Sequence, residues 1–192
     1  MLESSKVFLT TTNNINPDIA IILGSGLTNF FEEKDIDSVF ALNVKAFETP
    51  AEAKLVDILR EQADPVISLV CEDNLEIVGH IMFSPVILSG HPELKVMGLA
   101  PMAVLPEHQR KGFGSELVET GLEQCKKLSY NAVVVLGHPK YYPRFGFSPA
   151  SVFGINSEYK VSDEVFMAVE LEPGTLGGKT GTVRYHAAFS SV

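Results

Sequence analysis

Two glycines one residue apart, Gly112 and Gly114, follow the cations Arg110 and Lys111 and lead straight into an amphipathic run, QRKGFGSELVETGLEQCKK, over residues 109–127. The spacing of Leu117, Val118, Gly121, Leu122, Cys125 and Leu128 predicts a helix with one buried stripe. The first turn of a helix exposes about four unpaired N–H groups and roughly half a positive charge. Glycines remove Cβ atoms from that mouth and let an anion reach the amides. With Arg110 and Lys111 at the rim, the segment reads as an anion cradle suited to a pyrophosphate. A Gly-x-Gly pair also serves as a plain strand-to-helix turn, and short glycine motifs have many chance matches. Two familiar phosphate loops do not fit. No Gly-Lys-Ser/Thr follows, and Leu117 stands where Gly-x-Gly-x-x-Gly needs its third glycine.

Other reactive side chains narrow the chemistry by their arrangement. Cys71 and Cys125 lie far apart and near no second Cys or His, so neither a disulfide framework nor a zinc site is expected, and a reducing cytoplasm is. His80, His91, His108 and His186 are scattered without metal-ligand spacing, and no metal is expected. A formal charge of −9 argues against nucleic acid as a partner, because affinity for phosphate backbones comes from Lys and Arg. It suits a cationic acceptor. No run of about 18 apolar residues is present, so no membrane span is expected. The first residues lack the basic and apolar regions of a secretory signal.

The elements that must position this chemistry are those of one soluble domain of 192 residues, 45% hydrophobic and 20% charged. Residues 1–28 form an irregular N-terminal extension in which 19–26 read as an edge strand. Residues 29–192 read as a single domain. Val39, Phe40, Ala46 and Phe47 share a helical stripe over 35–47, with Asp35 as N-cap. A second helix is expected over 50–62, with Pro50 in its first turn and Leu55, Ile58 and Leu59 inward. Runs 66–72 and 76–86 flank Asp73-Asn74-Leu75, a hairpin pattern. The run 95–104 carries Gly98 and Pro101, which predict a bulge or break near its middle. After the glycine helix come a buried strand over 131–137 and strand-like runs over 165–171 and 181–189. The fold class is α/β: a mixed sheet with a β-α-β unit beside a hairpin and helices on both faces.

The phrase VLPEHQRKGFG, with Gln109, Gly112 and Gly114 in the form Gln/Arg-x-x-Gly-x-Gly/Ala, resembles the acetyl-CoA loop of the GNAT superfamily of N-acetyltransferases. GHPKYYPRFGF over 137–147 is close to that superfamily's Tyr-x-x-x-Gly-Phe signature. EAKLVDILR (52–60), GHIMFSPV (79–86), GLAPMAV (98–104), VVVLGHPKYYPRFGF (133–147) and ELEPGTLGG (170–178) all look like its YhbS-like branch, over about residues 29–189. The resemblance implies a mostly antiparallel sheet in which one parallel pair splays, helped by Pro101, and the pantetheine arm of coenzyme A lies in the gap. It implies that Met102, Ala103 and Val104 hold the pantetheine and that the amides from Arg110 through Lys111, Gly112, Phe113 and Gly114 to Ser115 hold the pyrophosphate, with Gln109 in the same loop.

The implied reaction is direct attack of a primary amine on the thioester of acetyl-CoA in a ternary complex. Tyr142, four residues before Gly146, holds the position that supplies the proton to the departing thiolate, and its neighbour Tyr141 is the rival. An alkylammonium with a pKa near 10.4 must lose a proton before attack. Glu48, Glu52, His138 and a water chain are all open as the base, since residues 96–104 carry no carboxylate. A non-catalytic acyl-CoA sensor would keep Gln109 to Gly114 without needing Tyr142. A dinucleotide oxidoreductase is the weakest alternative. The acceptor is open among polyamine, aminoglycoside, amino acid and protein N-terminus, and a homodimer is open as well.

Overall fold

The computed structural model describes residues 7–8, 18–23, 33–47, 49–74 and 76–191. The boundary expected between residues 28 and 29 lies outside them, as does Glu48. The chain begins with strands β1 (Val7–Phe8) and β2 (Asp18–Leu23), followed by helices α1 (Glu33–Ala46) and α2 (Ala51–Gln62). Strands β3 (Ile67–Asp73), β4 (Glu76–Leu88) and β5 (Val96–Val104) form a meander, and helix α3 (Phe113–Lys127) leads to β6 (Ala132–Leu136). The rest is β7 (Ser148–Pro149), β8 (Ile155–Ser157), β9 (Phe166–Glu170) and β10 (Gly181–Arg184). The sheet runs β1-β2-β3-β4-β5-β6-β9-β7, and β10 pairs with the far end of β4 and with β8. Most pairings are antiparallel; β2–β3, β5–β6 and β8–β10 are parallel.

Strand periodicity divides the core into two layers. Leu69, Cys71, Ile81 and Phe83 pack with Leu117, Val118 and Cys125 of α3. Val70 and Met82 pack on the opposite face with Val39 of α1 and Leu55, Val56 and Leu59 of α2. Gly121 lets α3 approach closely, because a Cβ there would overlap Cε2 and Cζ of the Phe83 ring. On the α1–α2 side His80 is fully buried between Asn43 (Nδ2 to Nδ1, 3.2 Å) and Ser68 (Oγ to Nε2, 3.0 Å). Burial, and then the nearby Arg60 guanidinium, lower the His80 pKa to about 3. The imidazole is therefore neutral in the folded protein.

Several sequence expectations shift in detail. Of the 19–26 run, residues 19–23 belong to strand β2 and 24–26 lie outside the described residues; β2 is no edge, because β1 pairs outside it. Helix α1 starts at Glu33, ahead of the expected Asp35 cap, and Pro50 is the residue before the first turn of α2. Leu128 lies past the last residue of α3 and is 39% exposed, so the buried stripe ends at Cys125. The 181–189 run is strand β10 followed by a 3₁₀ turn, Ala187–Ser190. The hairpin forms as expected, with Asn74 at φ 52°, the left-handed conformation that asparagine tolerates.

The break in β5 is what shapes the site. Its parallel pairing with β6 runs from Val96 opposite Ala132 to Leu99 opposite Val135 and then stops. Ala100 to Val104 continue beside β4 alone, with a register shift at Met82. Pro101 has no N–H to donate, and the shift sets two β5 residues against one on β4. Side-chain alternation is reset there: Leu99 joins the α3 core, while Met102 and Val104 lie against Gly114.

Candidate active site at the splayed strands

The loop from β5 to α3 is braced on three sides. Gln109 Nε2 donates to the Val104 carbonyl (3.1 Å), Lys45 of α1 pairs with Glu107 (2.7 Å), and His108 lies 3.6 Å from Asp73 at the end of β3. Within this frame Arg110 has φ 62° and Gly112 φ 101°. A non-glycine residue in the left-handed region costs about 1–2 kcal/mol, so Arg110 is held there by its surroundings. Gly112 occupies the cap position of α3 in a conformation that side chains resist. Among the described residues the amides of Arg110, Lys111, Gly112, Phe113 and Gly114 donate to no backbone carbonyl. Ser115 differs from the expectation: its amide already donates to the Gly112 carbonyl (2.9 Å), so only its side chain, which also bonds Tyr141, faces the cavity.

Facing this loop, the chain that leaves β6 brings in two aromatic rings. Tyr142 opens a 3₁₀ turn, Tyr142–Phe145, and is 7% exposed. Its ring sits edge-on to Tyr141 (5.1 Å between centroids) and Phe147 (5.5 Å). Gly137 makes this position available, since a Cβ there would overlap Tyr142 Cε2 and lie 2.8 Å from Cδ2. Burial, with Tyr141 adding to it, pushes the Tyr142 phenol well above its ordinary pKa. Tyr141 reaches across to α3 and hydrogen-bonds the Ser115 side chain; burial raises its pKa too. A Cβ on Gly114 would lie 2.7 Å from the Tyr141 hydroxyl. Gly114 therefore makes room for a tyrosine of this chain as well as for any ligand.

Between these walls lies a cavity of about 610 Å3. Met102 and Val104 line it from β5, and Gln109, Arg110, Gly112, Gly114 and Ser115 from the loop and α3. His138, Tyr141, Tyr142 and Arg144 complete it. Most of the sequence-derived candidates thus converge. Three do not line the cavity with their side chains. Ala103 is 4% exposed and sits opposite buried His80; Lys111 is exposed; Phe113 packs against the His108 ring at 6.1 Å. Of the candidate bases His138 lines the cavity. Glu52 does not, although its Oε2 is buried without a hydrogen bond among the described residues.

Arg144 was not singled out from the sequence. Its signal was a cation set among aromatics in YYPRFGF. Among the described residues no carboxylate lines the cavity. Both cysteines are free and buried, and burial raises the Cys125 pKa to about 12 and that of Cys71 further. Among the described residues no group of three His, Cys, Asp or Glu side chains could hold a metal, and no helix is long and apolar enough to cross a membrane.

Comparison with known proteins gives this geometry a lineage. Residues 29–150 match the model of the acetyltransferase (GNAT) domain. The chain is 36% identical over 157 residues to an uncharacterized N-acetyltransferase, YhbS, of Escherichia coli K12, covering 81% of this chain and 93% of that one. The crystal structure of the E. coli YhbS protein in complex with CoA superposes with a TM-score of 0.78 at 30% identity, over 97% of this chain and 92% of the other. A GNAT family acetyltransferase from Brucella melitensis, crystallised with acetyl-CoA, gives 0.67 at 32% identity, over 83% and 94%.

Proposed function

Since the chain belongs to the GNAT acetyltransferase family, we propose that it transfers an acetyl group from acetyl-CoA to a primary amine, by direct attack within a ternary complex. One observation carries this reading: a cavity opens where β5 leaves β6 and is bordered both by unpartnered loop amides and by the Tyr142 phenol. The relatives crystallised with CoA and acetyl-CoA support the choice of ligand. Residues 29–192 make the catalytic domain, and residues 1–28 are an extension that adds strands to its sheet. The cytoplasm is its compartment, consistent with two free thiols.

In this mechanism the amides of Arg110 to Gly114 and the start of α3 receive the pyrophosphate, with Ser115 contributing its hydroxyl. The edge of β5 freed beyond Leu99 pairs with the pantetheine, Met102 and Val104 forming its wall and Ala103 acting through its backbone. The amine nitrogen forms a bond to the thioester carbonyl carbon, and the carbon–sulfur bond breaks. Tyr142 gives its proton to the departing thiolate and is restored by the proton that the attacking nitrogen sheds as the amide forms. Its raised pKa keeps the phenol protonated, so the hydroxyl is present as a hydrogen-bond donor and not as a base. Among the described residues His138 is the one candidate base that lines the cavity, and an imidazole there, directly or through water, takes the proton from the ammonium. Neither cysteine fits an acyl-enzyme route, because a buried thiol with a raised pKa is a poor nucleophile.

A second reading, an acyl-CoA-binding domain without turnover, draws on the absence of a carboxylate from the cavity among the described residues. Calorimetry with acetyl-CoA, followed by thiol release over a panel of polyamines, aminoglycosides, amino acids and peptides, separates the two. Binding with turnover of an amine supports the transferase. Binding with no turnover on any amine supports the sensor, and no binding at millimolar acetyl-CoA removes both.

A further inference from the structure

The loop that follows β6 carries a cation held in an unusual way. Arg144 Nε donates to the Tyr141 carbonyl at 2.9 Å, and the guanidinium carbon lies 4.5 Å above the centroid of the Tyr141 ring. The Phe145 ring is 5.8 Å from it. Tyr141 is itself tied by its hydroxyl to Ser115 in the first turn of α3. The guanidinium is thus oriented by a chain of contacts that begins at the opposite wall of the cavity. Arginine stacked on an aromatic face loses little further freedom when its remaining N–H groups bind a partner.

Charge makes this placement informative. The protein has 24 acidic residues against 15 Lys and Arg, yet among the described residues no carboxylate lines the cavity and Arg144 forms no ion pair. An exposed arginine in so acidic a chain has many carboxylates to choose from. Here one side of its fork is spent on the backbone and the Tyr141 ring, and Nη1 and Nη2 are left beside a space also bordered by Arg110 and Gly112. A planar pair of N–H donors matches two oxygens of a phosphate.

We propose that Arg144, positioned by Tyr141, is a phosphate-anchoring residue of the coenzyme A cleft, closing on the cofactor from the side opposite the loop amides. This rests on the coenzyme A reading given above. The chemistry recognised is a phosphate, which the cofactor offers either as its pyrophosphate or as its 3′-phosphate.

The test is calorimetric titration of the wild-type protein, Arg144→Ala and Arg144→Lys with CoA and with 3′-dephospho-CoA, at ionic strengths from about 50 to about 300 mM. Arg144→Ala is expected to weaken CoA about tenfold at low salt, as for loss of one solvent-accessible charge-assisted contact. Its affinity should also fall less steeply with salt than that of the wild type, and Arg144→Lys should recover part of the loss. If the penalty persists with dephospho-CoA, the pyrophosphate is the partner; if it vanishes, the 3′-phosphate is. Affinity within about twofold of wild type, or a loss with an unchanged salt slope, would overturn the proposal and leave Arg144 as packing for Tyr141. Failure of the wild-type protein to bind CoA would instead remove the reading beneath it.

Discussion

Replacing Gly137 by alanine adds one methyl group far from any expected contact with the acceptor, yet it should cost the enzyme most of its rate. The new Cβ would overlap Tyr142 Cε2 and lie 2.8 Å from Cδ2, where carbon atoms rest at about 3.5–4.0 Å. The ring must retreat by roughly 1 Å or more. It cannot do so cheaply, because Tyr141 and Phe147 hold its edges at 5.1 and 5.5 Å between centroids. Hydrogen bonds that transfer a proton work over a window of only about 0.6 Å, so the hydroxyl leaves the leaving group. We expect a fall in kcat of about a hundredfold, the low end for a lost general acid because a thiolate already departs readily. Overpacking should cost about 1–3 kcal/mol of stability. At about 2–4 °C per kcal/mol for a chain of this size, Tm falls by roughly 2–12 °C. The assay is thiol release from acetyl-CoA with an amine that the wild-type protein acetylates, run beside Tyr142→Phe and the double variant. If the methyl acts through the hydroxyl, the double variant is no slower than Tyr142→Phe alone. A Gly137→Ala enzyme at full rate, or losses that multiply in the double variant, would refute the reasoning.

Tyr142→Phe should lower kcat by about a hundredfold while CoA affinity, measured by calorimetry, stays within about twofold, since the ring remains in place. Gly112→Val should abolish CoA binding. A Cβ there meets no protein atom within 4 Å, so the added methyl groups project into open space beside the loop amides, and a differential scan should record only the cost of a side chain at φ 101°. His80 makes stability sensitive to acid. Its folded pKa of about 3 is depressed from about 6.5, so between those values the unfolded chain binds a proton that the native protein refuses. Stability therefore falls as pH drops from about 6.5 toward 3, by up to about 1.4 kcal/mol per unit from this group. Urea midpoints should follow that slope, and His80→Gln should flatten it; an equal slope in the variant would show that the proton goes elsewhere.

Elements governed by local periodicity were legible in the sequence. Leu117, Val118, Gly121 and Cys125 define the buried stripe of α3, and the hairpin follows from Asp73 and Asn74 between two β-like runs. Pro101 foretold the break in β5 because a missing N–H is a property of the residue itself. What periodicity cannot reveal is how a strand's alternation resets at that break. The sequence therefore offers Met102, Ala103 and Val104 as equals, while the fold turns Ala103 toward His80 and leaves the other two on the cavity. Leu128 shows the reverse error: its spacing continues the stripe, but the helix has already ended.

The glycines carry the deeper lesson about reading a site from spacing. Gly112 and Gly114 look alike in the sequence, both sparing room for an anion. Gly112 meets nothing and is required by its positive φ; Gly114 gives way to the Tyr141 hydroxyl. Gly137 admits the Tyr142 ring, and Gly98 admits Val86 and the ring of Tyr185, since a Cβ there would lie 2.8 and 3.1 Å from them. Gly137 and Tyr142 are five residues apart, but the partners of Gly114 and Gly98 lie well away in the chain, where no local pattern could name them. Together they make the site a matter of placing aromatic rings: small residues on β5, on α3 and just past β6 accept rings from the segments after β6 and β10. Because two of those rings belong to the cavity, the backbone glycines set the position of the proposed proton donor as firmly as they would set the approach of a phosphate.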